Sequence, residues 1–543
     1  MKKIFTIVSI AVLGIAMCSC EKNLDIPQKS VLSMDYYENA TPEQADALIA
    51  SVYKLYWGGR DVTSVNGIDK IIFLNSLDDD HYTGGGSFSD ASYQFQDAGA
   101  YKVTASDNSM KTVYKGIYGV IYHSSLIIEN IPESNDAEIN RVKAEAHFMR
   151  ALAMFDAVRW WGTPILVTHV LGADEYNLGN TPTKESIDWI LDEMQTAVDG
   201  LQPIAGKGQQ KAFGARISKY AAQAYRGKVQ LWYASRYNDA SYLAGAVSDL
   251  KAVINSGLYE LNPDMYKLVR PAGDFCAEYL FEHNADNNDG FPGDPQNDLR
   301  HMWTGWPTNL AIPSAVFSGW GWNSVSKEFG EFLAAHEGDI EKPRFKSTIH
   351  TYEQVLAMDY APGVTPGVTK AIAHNAGYFT YRGISFNDDM YNNGQWAYSS
   401  ANEPLLRYAE VLLLYAEAQF LKDNDADGSG LKALNEVRSR AQIDELSSMT
   451  YQDIKDERRA ELFYEQERFF DLQRWGDAPT ALANKGKVFY EFSGYKPGTT
   501  EWNVTPVTGQ SYNGNGWQDK YMLLPFPSEQ LSANPNLVQN PGW

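Results

Sequence analysis

Residues 453–475, DIKDERRAELFYEQERFFDLQRW, constrain what this chain can fold into more than any other stretch. Thr450 and Asp453 have the spacing of a capping box, in which each side chain satisfies a backbone donor at a helix start. Gly476 and Pro479 supply the matching stop signal. Leu462, Phe469 and Leu472 fall on one helical stripe with Phe463 and Phe470 beside it, so the spacing predicts a single amphipathic helix. Against that stripe stand Glu457, Glu461, Glu465, Glu467, Asp471, Arg459, Arg468 and Arg474. Paired carboxylates can do acid/base chemistry, but carboxylates interleaved with arginines at helical spacing read more simply as structural ion pairs.

Other segments repeat this helical signature. Thr41-Pro42 opens a helix running to about Trp57, with Gly58-Gly59 behind it. Residues 107–130 and 136–161 predict two helices joined by a short link, and 184–201 with 215–235 a second pair, followed by 244–256. Residues 403–422 and 430–441 predict a third pair. Residues 60–104 show little helical period and read as long loops with a few short strands. From about 258 to 403 the helical pattern stops, and Gly, Pro, Asn and aromatic residues take over. Helix pairs of this size cannot bury their faces alone and stack, as tetratricopeptide units do. The expected fold is therefore mainly α, a helix-pair scaffold with a large irregular lobe containing a few short strands.

The N-terminus carries a different message. Lys2 and Lys3 precede the apolar run 4–17, which is too short to span a bilayer and reads as an export signal. Met17-Cys18-Ser19-Cys20 follows directly, and the small Ser19 before Cys20 makes Cys20 the expected lipidated residue. Only Cys276 lies beyond it, so no disulfide framework is available to the mature chain. A net charge of -22 argues against nucleic acid as a partner, because phosphate backbones would be repelled.

In this order along the chain, several motifs resemble the SusD/RagB-like outer-membrane nutrient-binding lipoproteins. The Cys20 box is followed by Leu24-Asp25-Ile26-Pro27, then by AEAHFMRAL (144–152) running into RWWGTP (159–164). RYAEVLLLYAEA (407–418) and NEVRSRA (435–441) precede the 453–475 stretch, and LPFP (524–527) leads to the closing QNPGW (539–543). The resemblance implies about four tetratricopeptide-like pairs and a variable ligand lobe. It also implies a lipid anchor in the outer membrane, exposure at the cell surface, and delivery of oligosaccharides or polysaccharides to a TonB-dependent transporter without catalysis. On that reading residues 1–20 are the signal peptide and 21–543 form one body. Its scaffold would occupy about 41–257 and 403–480, and the lobe about 258–402 with the 58–105 and 490–520 loops. A surface glycoside hydrolase and a peptide-binding helical scaffold remain the alternatives.

Sugar rings present faces of C–H bonds that stack on flat aromatic surfaces, while their hydroxyls need carboxylate or amide partners. Trp303, Trp306, Trp320 and Trp322, four of the fourteen Trp in the chain, crowd one glycine-rich stretch and are the expected platforms. Asp79, Asp80, His81 and Tyr82, beside Gly84-Gly85-Gly86, are the second candidate group. Asp286, Asp289, Asp294 and Asp298 supply carboxylate oxygens of the kind that chelate calcium, and are the candidate calcium ligands. Asp423-Asn424-Asp425-Ala426-Asp427-Gly428 resembles half an EF-hand loop, but Leu434 stands where the closing Glu is needed, so a plain acidic turn is the expectation. The chain has no HExxH, no GxSxG and no P-loop.

Overall fold

The structure, a computed structural model, describes residues 34–57, 65–285, 300–392 and 397–543. Its scaffold helices are α1 (Pro42–Trp57), α2 (Ile68–Leu77), α3 (Asn108–Asn130), α4 (Ala137–Trp161), α5 (Thr183–Gly200), α6 (Lys219–Tyr237) and α7 (Leu243–Asn255). After α8 (Lys327–Glu337) in the lobe, the scaffold resumes with α9 (Tyr408–Asp423), α10 (Ser429–Arg440), α11 (Tyr451–Glu461) and α12 (Arg468–Trp475). Helix α3 packs on α4, α4 on α5, α5 on α6, α6 on α7, α7 on α9 and α9 on α10, while α1 lies against α3 and α4. Each helix thus buries one face on the previous helix and another on the next, as stacked helix pairs must.

Local signals explain where these helices begin and end. Thr41 N donates to Gln44 Oε1 at 2.9 Å and Gln44 N to Thr41 Oγ1 at 3.3 Å, closing a capping box on α1. Asp136 accepts from Glu138 N and Ile139 N at the start of α4. The Thr450–Asp453 box forms as expected, and Gly476 ends α12 at φ 74°. Two sequence motifs far apart meet at the end of α4. Trp161 Nε1 donates to Pro525 O at 3.0 Å, its ring stacks on Phe526, and Asn540 Nδ2 donates to Trp161 O at 3.1 Å.

Several expectations need correction. The 258–403 stretch, which shows no helical pattern, holds the helix α8, and the 490–520 region expected as loops holds strands Phe489–Tyr495 and Trp502–Val507. Among residues 60–104, the described 65–104 hold two helices, α2 and Tyr93–Gly99, joined by loop, where the sequence predicts only loops and short strands. Helix α2 is buried on nearly every side, Asp69 and Lys70 included, so it has no polar face to reveal a helical period. Residues 403–407 form a strand, with Pro404 in it, and the helix starts only at Tyr408. The 453–475 stretch is two helices. Between them Tyr464 and Gln466 adopt φ of 73° and 56°. There Phe463 stacks on both Phe329 and His81, and the Tyr464 hydroxyl bonds Asn323 O, so tertiary contacts override the helical pattern. The Gly58-Gly59 stop lies outside the described residues.

The lobe contains short antiparallel strands: β1 (Tyr279–His283), β2 (Ile349–Thr351), β3 (Ile372–Ala373), β4 (Tyr378–Thr380), β5 (Met390–Asn392), β6 (Ala397–Ser399), β7 (Glu403–Arg407), β8 (Phe489–Tyr495) and β9 (Trp502–Val507). They pair as β1–β7, β2–β4, β5–β6 and a three-stranded β3–β8–β9 sheet. A large apolar cluster fills the scaffold, and a separate one with Trp306, Leu310, Phe379 and Phe492 fills the lobe.

Glu457, Arg458, Glu461, Asp471 and Arg474 of the 453–475 stretch are buried. Arg474 binds Glu417 and Asp471, Arg458 binds Asp471, and Glu461 accepts from Arg407, Arg440 and Arg344. Arg344 also pairs with Glu337 and Glu457. Each carboxylate in this lattice has a guanidinium partner, which is how charge is retained inside a protein.

Candidate functional site

The two stretches singled out as ligand candidates are far apart in sequence, and the fold lays one against the other. Tyr82 N donates to Ser324 O at 2.8 Å, Asn323 N to Thr83 O at 2.8 Å, and Gly85 N to Gly321 O at 2.7 Å. Bridges His81–Val325 and Gly84–Trp322 complete this short antiparallel contact. Glycine permits the approach. A Cβ on Gly84, at φ +85°, would overlap Gly321 O, and one on Gly319 would lie 2.5 Å from Gly305 Cα.

Within this junction most of the expected contact residues serve as its frame. Trp306 is 2% exposed, and its Nε1 donates to Thr380 O at 2.7 Å. Trp303 and Trp322 are 4% and 6% exposed, the latter against Phe95 at 5.7 Å. These three rings therefore do not form an open platform in this structure, because Trp306 is part of the lobe core and Trp303 and Trp322 pack into the scaffold core. Trp320 alone of the four is half-buried, its ring edge-on to Trp322 at 4.9 Å.

The acidic turn is equally occupied. Asp79 binds Arg468 through two bonds of 2.8 and 2.9 Å and Arg459 at 3.1 Å, and Asp80 Oδ1 binds Arg459 Nε at 2.7 Å. Burial opposes charge on Asp79, but Arg459 and Arg468 hold its carboxyl well below the usual range. On Asp80 burial, with the negative Asp79 and Asp78 alongside, pushes the carboxyl up despite Arg459. His81, 1% exposed, bonds Asp78 Oδ1 through Nδ1 at 2.9 Å and stacks on Phe463. The Tyr82 hydroxyl donates to Glu328 Oε2 at 3.0 Å and accepts from Lys327 N. All four side chains tie the glycine loop to α8, α11 and α12. This fixes the loop and leaves them no free face.

What the junction does present to solvent is a rim of aromatic and amide groups that composition alone did not single out. Tyr93 is 60% exposed, two residues before Phe95 on the short helix Tyr93–Gly99. Phe88 is half-buried and lies parallel to Tyr512, ring centroids 4.8 Å apart. Asn309 Nδ2 donates to Gly86 O and Ala371 O, and exposed Asp90 accepts from Gly86 N at 2.6 Å. The missed signal was aromatic residues inside Gly- and Ser-rich loops, GGGSFSDASY (84–93) and GQSYNGNGW (509–517). Flat rings beside hydrogen-bonding groups suit a ligand with apolar faces and many hydroxyls.

The expected calcium ligands Asp286, Asp289, Asp294 and Asp298, and Cys20, lie outside the described residues. In the acidic turn at 423–428, Asp425 accepts from Gly430 N and Leu431 N and so starts α10. Among the described residues no group of three or more His, Cys, Asp or Glu is arranged to hold a metal ion, and no helix is long and apolar enough to cross a membrane.

Comparison with known proteins places this geometry in a family. The profile of the SusD family matches residues 282–543, and a profile described as "Starch-binding associating with outer membrane" matches residues 40–231. A SusD-like protein of Bacteroides ovatus is 24% identical over 511 residues, covering 88% of this chain and 83% of its own. A solved laminarin-binding SusD-like protein superposes with a TM-score of 0.71 at 23% identity, covering 92% of this chain and 99% of its own. Surface glycan-binding protein A from Bacteroides thetaiotaomicron, solved with laminarihexaose, gives a TM-score of 0.71 at 18% identity over 92% of this chain and 99% of its own. The chain belongs to the SusD/RagB family.

Proposed function

We propose that this protein captures oligosaccharide or polysaccharide chains at the rim where the 84–93 loop meets the 319–325 segment, without cleaving them. The observation that carries this reading is Trp320, half-exposed on a backbone junction whose other three tryptophan rings are locked in the core. A ring held this way meets a sugar face with little ordering cost. Tyr93, Phe88 and Tyr512 extend the aromatic surface, and Asp90 and Asn309 stand beside it for hydroxyls. One solved relative binds laminarin and another was solved with laminarihexaose, and these supply the first compounds to try.

On the same reading, Cys20 carries the lipid that holds the body at the outer membrane, facing outward, and a TonB-dependent transporter receives the ligand. The helix pairs of 41–257 and 403–480 would form the scaffold, and 258–402 with the 58–105 and 490–520 loops the ligand side. The decisive experiment is affinity electrophoresis and calorimetry of the protein without residues 1–20 against a polysaccharide panel that includes laminarin. Binding that weakens in Trp320→Ala is expected. No binding to any glycan overturns the function, and release of shortened products favours a hydrolase. Loss of fatty-acid labelling in Cys20→Ala tests the anchor.

A further inference from the structure

We infer that Trp502, Tyr495 and Glu353 form a second sugar-contacting surface on the lobe, separate from the Trp320 rim. This inference rests on the glycan-binding reading and extends it to a surface that shares no residue with the first.

Tyr495 and Trp502 face each other across the β8–β9 pair, on either side of an exposed hairpin tip. The half-buried indole of Trp502 rests on Gly377, where φ is +94° and a Cβ would overlap the ring. Tyr378 meets that indole edge-on at 5.2 Å and Phe492 at 6.2 Å. The ring therefore has a built seat and a fixed orientation.

Its polar edge is fixed as well. Trp502 Nε1 donates to Glu353 Oε1 at 2.7 Å and the Tyr495 hydroxyl donates to the same oxygen at 3.0 Å. Glu353 lies in the first turn of Tyr352–Leu356, whose start is secured by the Thr351–Gln354 capping box. Burial works against its charge, but the bonds from Trp502 and Tyr495 outweigh it and keep the exposed carboxylate ionised. An oriented indole and phenol flanking an ionised carboxylate match the two needs of a neutral sugar, a flat surface for C–H faces and an acceptor for hydroxyls.

A shared turn connects the two surfaces. His374 O accepts from the Ser324 hydroxyl, in the same segment as Trp320, and Asn375 N donates to Tyr490 O on β8. Two residues further on, Gly377 seats Trp502. A ligand long enough to reach both surfaces gains from the second contact as an intramolecular event, so the polymer should be held more tightly than a short oligosaccharide.

The test is calorimetry of the detergent-solubilised full chain with laminarihexaose and with laminarin, extended to a panel of neutral polysaccharides. Trp502→Ala and Glu353→Gln are each expected to weaken polymer binding about five- to tenfold with the melting midpoint of Glu353→Gln unchanged. Because Trp502→Ala also removes lobe packing, Glu353→Gln and Tyr495→Phe, which preserve shape, decide the matter if that variant fails to fold. Polymer affinity unchanged in both shape-preserving variants, with Trp320→Ala still defective, overturns this inference and leaves the first surface standing. A wild-type chain that binds no glycan overturns both.

Discussion

Replacing Glu417 by Gln tests whether the charges around the 453–475 stretch are a structural lattice. Glu417 is fully buried on α9 and accepts from Arg474 Nη2 at 2.7 Å, Trp475 Nε1 at 2.8 Å and the Tyr451 hydroxyl at 2.9 Å. Burial alone would raise its pKa, but the Arg474 guanidinium, with Arg458 and the other donors, holds it down at about 2 from an ordinary 4.5. At 1.36 kcal/mol per pH unit, that depression corresponds to about 3 kcal/mol of stability, and removing one partner of a buried pair generally costs about 3–5 kcal/mol. Because the folded-state pKa is the lower one, the contribution is present above pH 4.5 and is lost as pH falls toward 2. Glu417→Gln should therefore unfold at clearly lower urea than wild type at pH 7, with a gap that narrows by pH 3. Urea midpoints followed by tryptophan fluorescence at both pH values measure this. Equal midpoints at pH 7, or a gap that does not change with pH, would refute the argument.

Further outcomes follow from the same geometry. Burial pushes Glu282 up to about 8, so its contribution runs the other way: it is fully present at low pH and lost as pH rises from about 4.5 to 8. Thermal melts should find Glu282→Gln gaining on wild type by about 4 kcal/mol between pH 5 and pH 9. Trp306→Ala should cost about 3–5 kcal/mol in denaturant titrations, because a ring 2% exposed leaves a cavity. Trp320→Ala should keep more of that stability and lose glycan affinity instead, read by calorimetry. Gly319→Ala should loosen the junction, since its Cβ would press on Gly305 backbone, and faster hydrogen exchange at residues 82–85 would report it.

Helical spacing, caps and glycine stops determined the scaffold from sequence, because those signals act within a few residues of one another. Thr450–Asp453, Asp136 and Gly476 mark helix ends as their chemistry requires. The motif order along the chain likewise pointed to the family. What tertiary structure decided was what each of those residues faces. Helix α2 escaped notice because burial on all sides erases the amphipathic period, and 453–475 breaks because Phe463 and Tyr464 gain more from His81, Phe329 and Asn323 than from helical hydrogen bonds. The same holds at the candidate site. Clustered Trp and Asp residues identified the right region, yet Trp303, Trp306, Trp322, Asp79 and Asp80 are consumed in building it, while Trp320, Tyr93, Phe88 and Tyr512 meet solvent. Residue type is local, but exposure depends on which distant strand or guanidinium covers a side chain, and only the packed chain fixes that.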